Sequence, residues 1–159
     1  MQIVPTKTEK SVNTKILCCS KSEKKIVKPF LKWAGGKSQL LHEIEKYYPF
    51  AHGNITKYAE PFVGGGAVLF DILNKYDLEK VYISDINEQL INTYRVVCDN
   101  INALVENLYI MQNEFLVLDV VGRKSYYMQK RERFNEFNVN GDKNAAIEKA
   151  ALMIFLNKT

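Results

Sequence analysis

The chain has 159 residues and a mass of 18.3 kDa, with 47% hydrophobic and 25% charged residues. This length and balance fit one globular domain with a buried core and exclude a chain that is disordered throughout. The formal charge of +4 comes from residues 1 to 28, which hold seven Lys against two Glu, so it is no argument for a DNA-binding face on the domain itself.

Residues 1 to 27 are predicted to be a flexible basic tail, with ordered structure beginning near Val27. The longest apolar run in this tail, Ile16 to Cys19, is only four residues, which is too short for the hydrophobic part of a signal peptide. No later stretch is long enough to span a membrane. We therefore expect a cytoplasmic protein without a membrane partner. A targeting or nucleic-acid-binding role for the tail is the alternative interpretation.

The first motif, Phe-Leu-Lys-Trp-Ala-Gly-Gly-Lys-Ser at residues 30 to 38, ends like a phosphate-binding loop. That loop requires a glycine about five residues before its Gly-Lys-Ser, and Leu31 occupies this position. A nucleoside triphosphate site is therefore rejected. Taken alone, Gly35 and Gly36 would indicate an ordinary turn, and Trp33 a core or rim aromatic.

Helical spacing of apolar residues next predicts a helix that begins at a Ser38 cap and ends before Pro49. A strand is predicted over residues 57 to 63, and it leads into three glycines, residues 64 to 66. A helix from about residue 67 to 75 follows. Small residues at this junction allow a ligand to approach the backbone closely.

A second strand is predicted over residues 80 to 84, followed by Asp85 and a helix from about residue 88 to 97. This alternation is typical of a doubly wound, Rossmann-like parallel sheet, whose ligands bind beyond the carboxyl ends of the strands. From about residue 103 the periodicity is helical throughout. It predicts helices over residues 104–118, 124–137 and 145–156, with a turn over residues 138–142.

Asp85 follows Gly64 by 21 residues. An acid at this place commonly accepts hydrogen bonds from the ribose hydroxyls of an adenosine ligand. The spacing departs from Gly-x-Gly-x-x-Gly because Leu69 stands three residues after Gly66. Asp85 or Asn87 would equally suit a helix cap. Together the features favour an adenosine-containing ligand, with the nicotinamide dinucleotide of an oxidoreductase as the alternative.

Three motifs in this order resemble the Dam-type family of DNA adenine-N6 methyltransferases. They are Phe-Leu-Lys-Trp-Ala-Gly-Gly-Lys at residues 30 to 37, Glu-Pro-Phe-Val-Gly-Gly-Gly at residues 60 to 66, and Ser-Asp-Ile-Asn at residues 84 to 87. The resemblance is strongest over residues 28 to 100. It implies that residues 28–100 are the cofactor-binding part of a methyltransferase domain and that residues 101–159 are the helical start of a DNA target-recognition region.

The resemblance also implies the cofactor and the residues that hold it. Trp33, Lys37 and Asp85 are expected to contact S-adenosyl-L-methionine, and Phe62 and the Gly64 backbone to line the same crevice. In this interpretation Lys37 pairs with the methionine carboxylate, Trp33 forms a wall, and Asp85 accepts from the ribose. No metal is implied.

Double-stranded DNA is the implied macromolecular partner, and Lys32 is expected to face it. Between residues 122 and 138, basic and aromatic side chains alternate: Arg123, Lys124, Lys130, Arg131 and Arg133 with Tyr126, Tyr127 and Phe134. Such a stretch could hold phosphates and wedge against bases. An amphipathic helix with its rings inward is the alternative, and both interpretations stay open.

The family performs methyl transfer with a motif of the Asp-Pro-Pro-Tyr type, which accepts hydrogen bonds from adenine N6 and stacks on the flipped base. This chain has prolines only at positions 5, 29, 49 and 61, so the motif is absent and no catalytic residue is assigned. We expect the amino-terminal portion of a methyltransferase, inactive alone. A truncated gene, an expressed fragment and a split enzyme partnered by the missing carboxyl-terminal half are open origins. A non-catalytic DNA-binding remnant is the alternative.

Overall fold

The computed structural model describes residues 15–17, 26–136, 139 and 141–159, and for residues 15–17, 51 and 52 it describes the backbone alone. This described part is an α/β structure dominated by helices, which confirms the expected class. The elements are β1 (Lys15–Leu17), α1 (Leu41–Glu45), β2 (Lys57–Glu60), α2 (Ala67–Lys75), β3 (Lys80–Ile83), α3 (Glu88–Asp99), α4 (Ile101–Leu116), α5 (Val120–Glu136) and α6 (Lys143–Lys158), with 3-10 turns at Lys37–Leu40 and Pro49–His52.

Strand β3 lies in the middle of the small sheet, parallel to β2 and antiparallel to β1. The two parallel strands are joined through α2, because parallel neighbours require a crossover connection. Glu60 pairs in register with Ile83, so both strands end at the same edge of the sheet. The segments that follow them, the glycine turn and Asp85, therefore meet there. The predicted parallel pair is confirmed.

Strand β1 falls inside the segment expected to be a flexible tail. The other residues before Ile26 lie outside the described part of the chain. The domain boundaries suggested by the sequence therefore stay predictions.

Glycine is required where the chain turns from β2 into α2. Gly64 and Gly66 have φ angles of 50° and 80°, in the left-handed region that residues other than Gly, and occasionally Asn or Asp, rarely adopt. A Cβ at Gly66 would also lie 2.5 Å from the Tyr94 hydroxyl oxygen. The turn is thus fixed by backbone conformation and by close packing at once.

The helix predicted from a Ser38 cap is wrong in its start and its length. A 3-10 turn comes first, and neither it nor α1 begins with a side-chain cap hydrogen bond. Leu40 and Tyr47, two apolar residues at helical spacing in this segment, are 56% and 83% exposed. Because only part of the pattern packs inward, the core stabilises one short helix instead of a long one.

The helices after β3 lie close to their predicted positions. Asn87 caps α3 by accepting from the backbone N–H of Leu90, and Asp142 caps α6 by accepting from Asn144 and Ala145. The predicted end of the helix at Phe137, and the start of the turn at Asn138, lie outside the described residues.

Two hydrophobic clusters form the core. The first lies between the sheet, α2 and α3 and includes Leu69, Ile72, Val81, Ile83, Leu90 and Ile91. The second lies among α3, α4 and α6 and includes Val96, Leu104, Ala150, Ala151, Leu152 and Phe155. Ile154 of α6 packs against both clusters. No described helix has the length and apolar character needed to cross a bilayer.

The three rings of α5 pack against the second cluster: Tyr126, Tyr127 and Phe134. This finding supports the interpretation of α5 as an amphipathic helix whose rings face inward. It leaves the charged face of α5 as the part that is open to solvent.

Candidate functional site

A cleft of about 690 Å³ lies beyond the carboxyl ends of β2 and β3. Its walls are the segment from Pro29 to Gln39, the glycine turn and Asp85. The structure brings together all the residues that the resemblance named for the cofactor: Trp33, Lys37, Phe62, Gly64 and Asp85. Small-molecule sites commonly have volumes of about 300–1,000 Å³. The cleft is therefore large enough for a nucleoside with an amino-acid tail.

The half-buried indole of Trp33 lies directly on the glycine turn. A Cβ at Gly64 would be 3.1 Å from Trp33 Cδ1, and a Cβ at Gly65 would be 3.1 Å from Trp33 Cβ. Such contacts are tighter than nearly all that real Cβ atoms make, so the tryptophan would have to shift to admit a side chain there. The absence of side chains in the turn thus allows the tryptophan to form one wall of the cleft.

Asp85 connects the two strand ends. Its Oδ2 accepts a hydrogen bond from the Gly64 N–H at 2.9 Å, and its Oδ1 accepts from the Asn87 N–H at 3.0 Å. A carboxylate has roughly four lone-pair positions, so each oxygen retains the capacity to accept from a ligand. The amino-terminal cap of α3 is Asn87, whose Oδ1 accepts a hydrogen bond from the Leu90 N–H. Asp85 is therefore not the cap of this helix.

Lys37 reaches across the cleft to the segment after β2. Its Nζ donates to the carbonyl of Phe62 at 3.0 Å and lies 3.8 Å from Oε1 of Glu60. Glu60 is 7% exposed and accepts from the Tyr58 hydroxyl at 3.0 Å. Burial raises the pKa of Glu60, against the opposite effects of the Tyr58 hydrogen bond and the Lys37 charge. The Lys37 ammonium therefore interacts with the buried Glu60 side chain as well as with the Phe62 carbonyl.

Tyr94 supports the glycine turn from α3. Its hydroxyl donates to the Gly64 carbonyl at 3.1 Å, and its ring packs edge-on against Phe30 with centroids 5.1 Å apart. Burial raises the pKa of Tyr94, which keeps the hydroxyl protonated as a donor. Sequence reasoning missed this residue because it resembles any apolar core position of an amphipathic helix.

Two apolar side chains next to the site are open to solvent. Phe62 is 72% exposed and lines the cleft, and Ile86, which follows Asp85, is 94% exposed. A single exposed apolar group is common on a protein surface, so only Phe62, which lines the cleft, is relevant to a ligand there.

Most of the basic side chains of α5 already have partners in the chain. Arg123 donates to the Leu116 carbonyl at 3.0 Å, Lys130 lies 3.7 Å from Glu114, and Arg133 binds Glu148 with two nitrogens at 2.8 and 3.0 Å. Lys124 and Arg131 are exposed. Across the described ranges, no three His, Cys, Asp or Glu side chains are grouped so that they could hold a metal ion.

A glycine turn after one parallel strand, an acid after its neighbour and a cleft between them are the arrangement at which α/β proteins commonly bind ligands. Within that class, residues 33–159 match the model of the D12 class N6 adenine-specific DNA methyltransferases. The chain belongs to this family.

Three relatives illustrate the similarity. The chain is 51% identical over 135 residues to the Type II methyltransferase M.MjaIII of Methanocaldococcus jannaschii, covering 84% of this chain and 46% of the relative. It is 35% identical to the Type II methyltransferase M1.LlaDCHI of Lactococcus lactis subsp. cremoris, covering 82% and 40%. It is 34% identical to the DNA adenine methylase of Haemophilus influenzae, also covering 82% and 40%. The chain thus spans less than half the length of these curated relatives.

Proposed function

We propose that this chain is the S-adenosylmethionine-binding portion of a site-specific DNA adenine-N6 methyltransferase with a Rossmann-like fold. In this proposal residues 28–100 hold the cofactor and residues 101–159 begin the target-recognition region. The observation that carries the proposal is the convergence of the named residues on one cleft: Trp33, Lys37, Phe62, Gly64 and Asp85. The relatives named DNA adenine methylase and Type II methyltransferase support it.

The side chains of the cleft fit the parts of this cofactor. Asp85 retains acceptor positions for ribose hydroxyls, and the two rings of Trp33 and Phe62 offer apolar faces to an adenine. The Lys37 ammonium has three N–H donors and uses one of them for the hydrogen bond to the Phe62 carbonyl. It can therefore also donate to the carboxylate of the cofactor. When bound, the cofactor supplies a methyl group activated by its positively charged sulfur.

Double-stranded DNA is the proposed partner of the helical region. The inward packing of the α5 rings argues for phosphate contacts by its exposed cations, Lys124 and Arg131, over stacking on bases. Lys32 is exposed beside the cleft, where a DNA backbone would approach a bound cofactor.

The fluorescence of Trp33 provides the main test, since this is the only tryptophan in the chain. We expect a saturable change of its emission on addition of S-adenosylmethionine. NADH is expected not to compete in calorimetric titrations, which separates this proposal from a nicotinamide-binding oxidoreductase. A folded sample that shows neither an emission change nor heat of binding would refute the cofactor assignment.

Substitution of Asp85 tests the proposed ribose contact. Asp85→Ala is expected to weaken cofactor binding by about 1–3 kcal/mol, the usual loss for a hydrogen bond to a charged acceptor. Glu88→Gln is a matched control because Glu88 is an exposed acid of the same region that does not line the cleft. Equal affinities of the two variants would exclude a ligand contact by Asp85.

We also propose that these 159 residues alone do not methylate DNA, because they contain no Asp-Pro-Pro-Tyr motif to accept hydrogen bonds from the adenine amino group. Incubation with labelled S-adenosylmethionine and an adenine-rich duplex is expected to leave the DNA unlabelled. Transfer of several methyl groups per polypeptide would contradict this.

A further inference from the structure

The segment that carries Trp33 contains neither a helix nor a strand between Ile26 and Gly36. In such a segment the backbone polar groups bind water or side chains in place of a neighbouring strand or helix. Two asparagines supply partners at separate points. Asn157 accepts from the Lys32 N–H and donates to the Lys32 carbonyl, both at 2.7 Å. Asn74 makes the same pair of bonds to Val27, at 2.9 and 2.8 Å.

A carboxamide that donates and accepts in this way imitates the peptide group of a neighbouring strand. At Lys32 it fixes both polar backbone groups of the residue immediately before Trp33. Leu31, one residue earlier, is 4% exposed and anchored in the first cluster. The buried Leu31 side chain and the two hydrogen bonds to the Lys32 backbone therefore fix the position of the Trp33 backbone. The Trp33 indole in turn lies on Gly64.

Asn157 itself is held by a well-packed helix. Ala150, Ala151 and Leu152 of α6 are at most 1% exposed. Near its start, α6 is tied to α3 by a hydrogen bond from the Asn92 side chain to the Ala146 carbonyl at 2.9 Å. The packing of α6 thus fixes the position of the Asn157 carboxamide, which binds the backbone of a residue 125 positions earlier in the sequence.

We infer that Asn157 is a positioning residue that sets the Trp33 wall of the cleft from the far end of α6. The consequence for cofactor affinity rests on the proposed function, whereas the placement of Trp33 does not. The contact between Asn157 and Lys32 thus connects helix α6 directly to the segment that forms one wall of the cleft. Any displacement of α6 relative to the first cluster moves the indole.

The test compares Asn157→Ala with Asn74→Ala in the full chain. Each variant loses an equivalent pair of bonds from near the carboxyl end of a helix, and alanine favours helix more than asparagine does. Only Lys32 lines the cleft, whereas Val27 does not. Helix content and a cooperative melt, followed by circular dichroism, show that both variants fold.

Two readouts report on the cleft. In ligand-free protein, iodide quenching of Trp33 fluorescence is expected to rise about twofold in Asn157→Ala and to stay unchanged in Asn74→Ala. The dissociation constant for S-adenosylmethionine is expected to rise about tenfold in Asn157→Ala alone, because a Trp33 wall that is no longer held in place must be ordered when the cofactor binds.

Equal quenching in the two variants and the wild type would overturn the inference. If the wild type does not bind S-adenosylmethionine, the proposed function fails, and the quenching comparison still decides the role of Asn157. If Asn157→Ala does not melt cooperatively, Asn157→Asp takes its place. It keeps the acceptor for the Lys32 N–H and loses the donor to the Lys32 carbonyl, and the same rise in quenching is expected.

Discussion

At the scale of single residues, the cleft is built from side chains that bind the backbone of another segment. Asp85 accepts from the Gly64 N–H, Tyr94 donates to the Gly64 carbonyl, and Lys37 donates to the Phe62 carbonyl. Both polar backbone groups of Gly64 are therefore held by side chains from outside the turn. A wall ordered in this way loses little further entropy when a ligand binds.

Replacement of Gly66 tests the packing below this turn. Gly66→Ala is expected to destabilise the protein more than Gly141→Ala, although both glycines have a φ near 80°. The shared left-handed conformation costs about 1–2 kcal/mol in each variant. At Gly66 the Tyr94 hydroxyl lies 2.5 Å from the new Cβ, whereas nothing lies within 4 Å at Gly141, and overpacking adds about 1–3 kcal/mol. Urea unfolding followed by Trp33 fluorescence measures the difference.

Identical losses in the two glycine variants would mean that Tyr94 and its neighbours move aside without cost. In that case the close packing would contribute nothing to the rigidity of the turn, and the backbone conformation alone would explain the glycine.

The sequence indicated those site residues that lie in compact motifs, such as Trp33 and Asp85, because chemistry-bearing types at fixed spacing stand out. It did not indicate Tyr94 or Asn157. The first is indistinguishable by periodicity from a core position, and the second contacts a peptide 125 residues away. Long-range contacts to the backbone leave no local pattern, since any residue supplies the peptide group that is bound.

At the scale of elements, α5 is attached to α6 by polar contacts as well as by its rings. Arg133 binds both carboxylate oxygens of Glu148, and the Lys149 ammonium donates to the Phe134 carbonyl. The Tyr126 ring packs edge-on against Phe155 with centroids 5.6 Å apart. The hydrogen bond from Arg133 lowers the pKa of Glu148 below its ordinary value of 4.5.

Glu148→Gln is expected to make the stability of the protein less dependent on pH in acid. Because the pKa of Glu148 is lower in the folded protein, its contribution is present above the ordinary value of 4.5 and is lost as the pH falls through the lowered one. The wild type is therefore expected to exceed the variant in unfolding free energy at neutral pH. Melting curves between about pH 3 and 7 should show this gap closing in acid.

Glu132→Gln serves as the control for this experiment, since Glu132 is an exposed acid of α5. The unfolding free energies of the wild type and of Glu132→Gln should differ little at every pH. A gap for Glu148→Gln that widens in acid would contradict the assigned direction.

Elements with a clean period were predicted well, and those that depend on distant partners were not. Helices α2 and α3 and strands β2 and β3 lie where the sequence predicted them, although β2 ends at Glu60, three residues before the predicted end at Val63. The extent of α1 does not, because its apolar pattern includes the exposed Tyr47. Strand β1 exists through antiparallel pairing with β3, and the polar surroundings of Lys15–Leu17 gave no sign of it.

At the scale of the whole molecule, α6 joins the two hydrophobic clusters. Ile154 packs against both, and the Thr93 hydroxyl oxygen of α3 lies 3.1 Å from the Met153 sulfur. Trp33 packs against the first cluster, so its emission reports on that cluster and not on the second one, to which α4 and α5 contribute. A helix shared between clusters favours unfolding as a single unit.

Leu152→Ala tests this cooperativity. Leu152 is 1% exposed in the second cluster, and its truncation is expected to cost about 2–5 kcal/mol. The Trp33 transition and the loss of helix by circular dichroism should shift together to lower temperature. The exposed control Ile110→Ala should change stability by about 0.5 kcal/mol or less. A Trp33 transition that stays in place while helix is lost earlier would show two independent units.

The contact between Trp33 and Gly64 also constrains how this sequence can diverge. The φ of 50° at Gly64 is one that Asn and Asp tolerate among the non-glycine residues. Their Cβ would stand 3.1 Å from Cδ1 of the indole, so the indole would have to move to admit them. Among natural or selected variants, Asn or Asp at position 64 should therefore occur together with a smaller side chain at position 33. The two positions are expected to covary although 30 residues separate them.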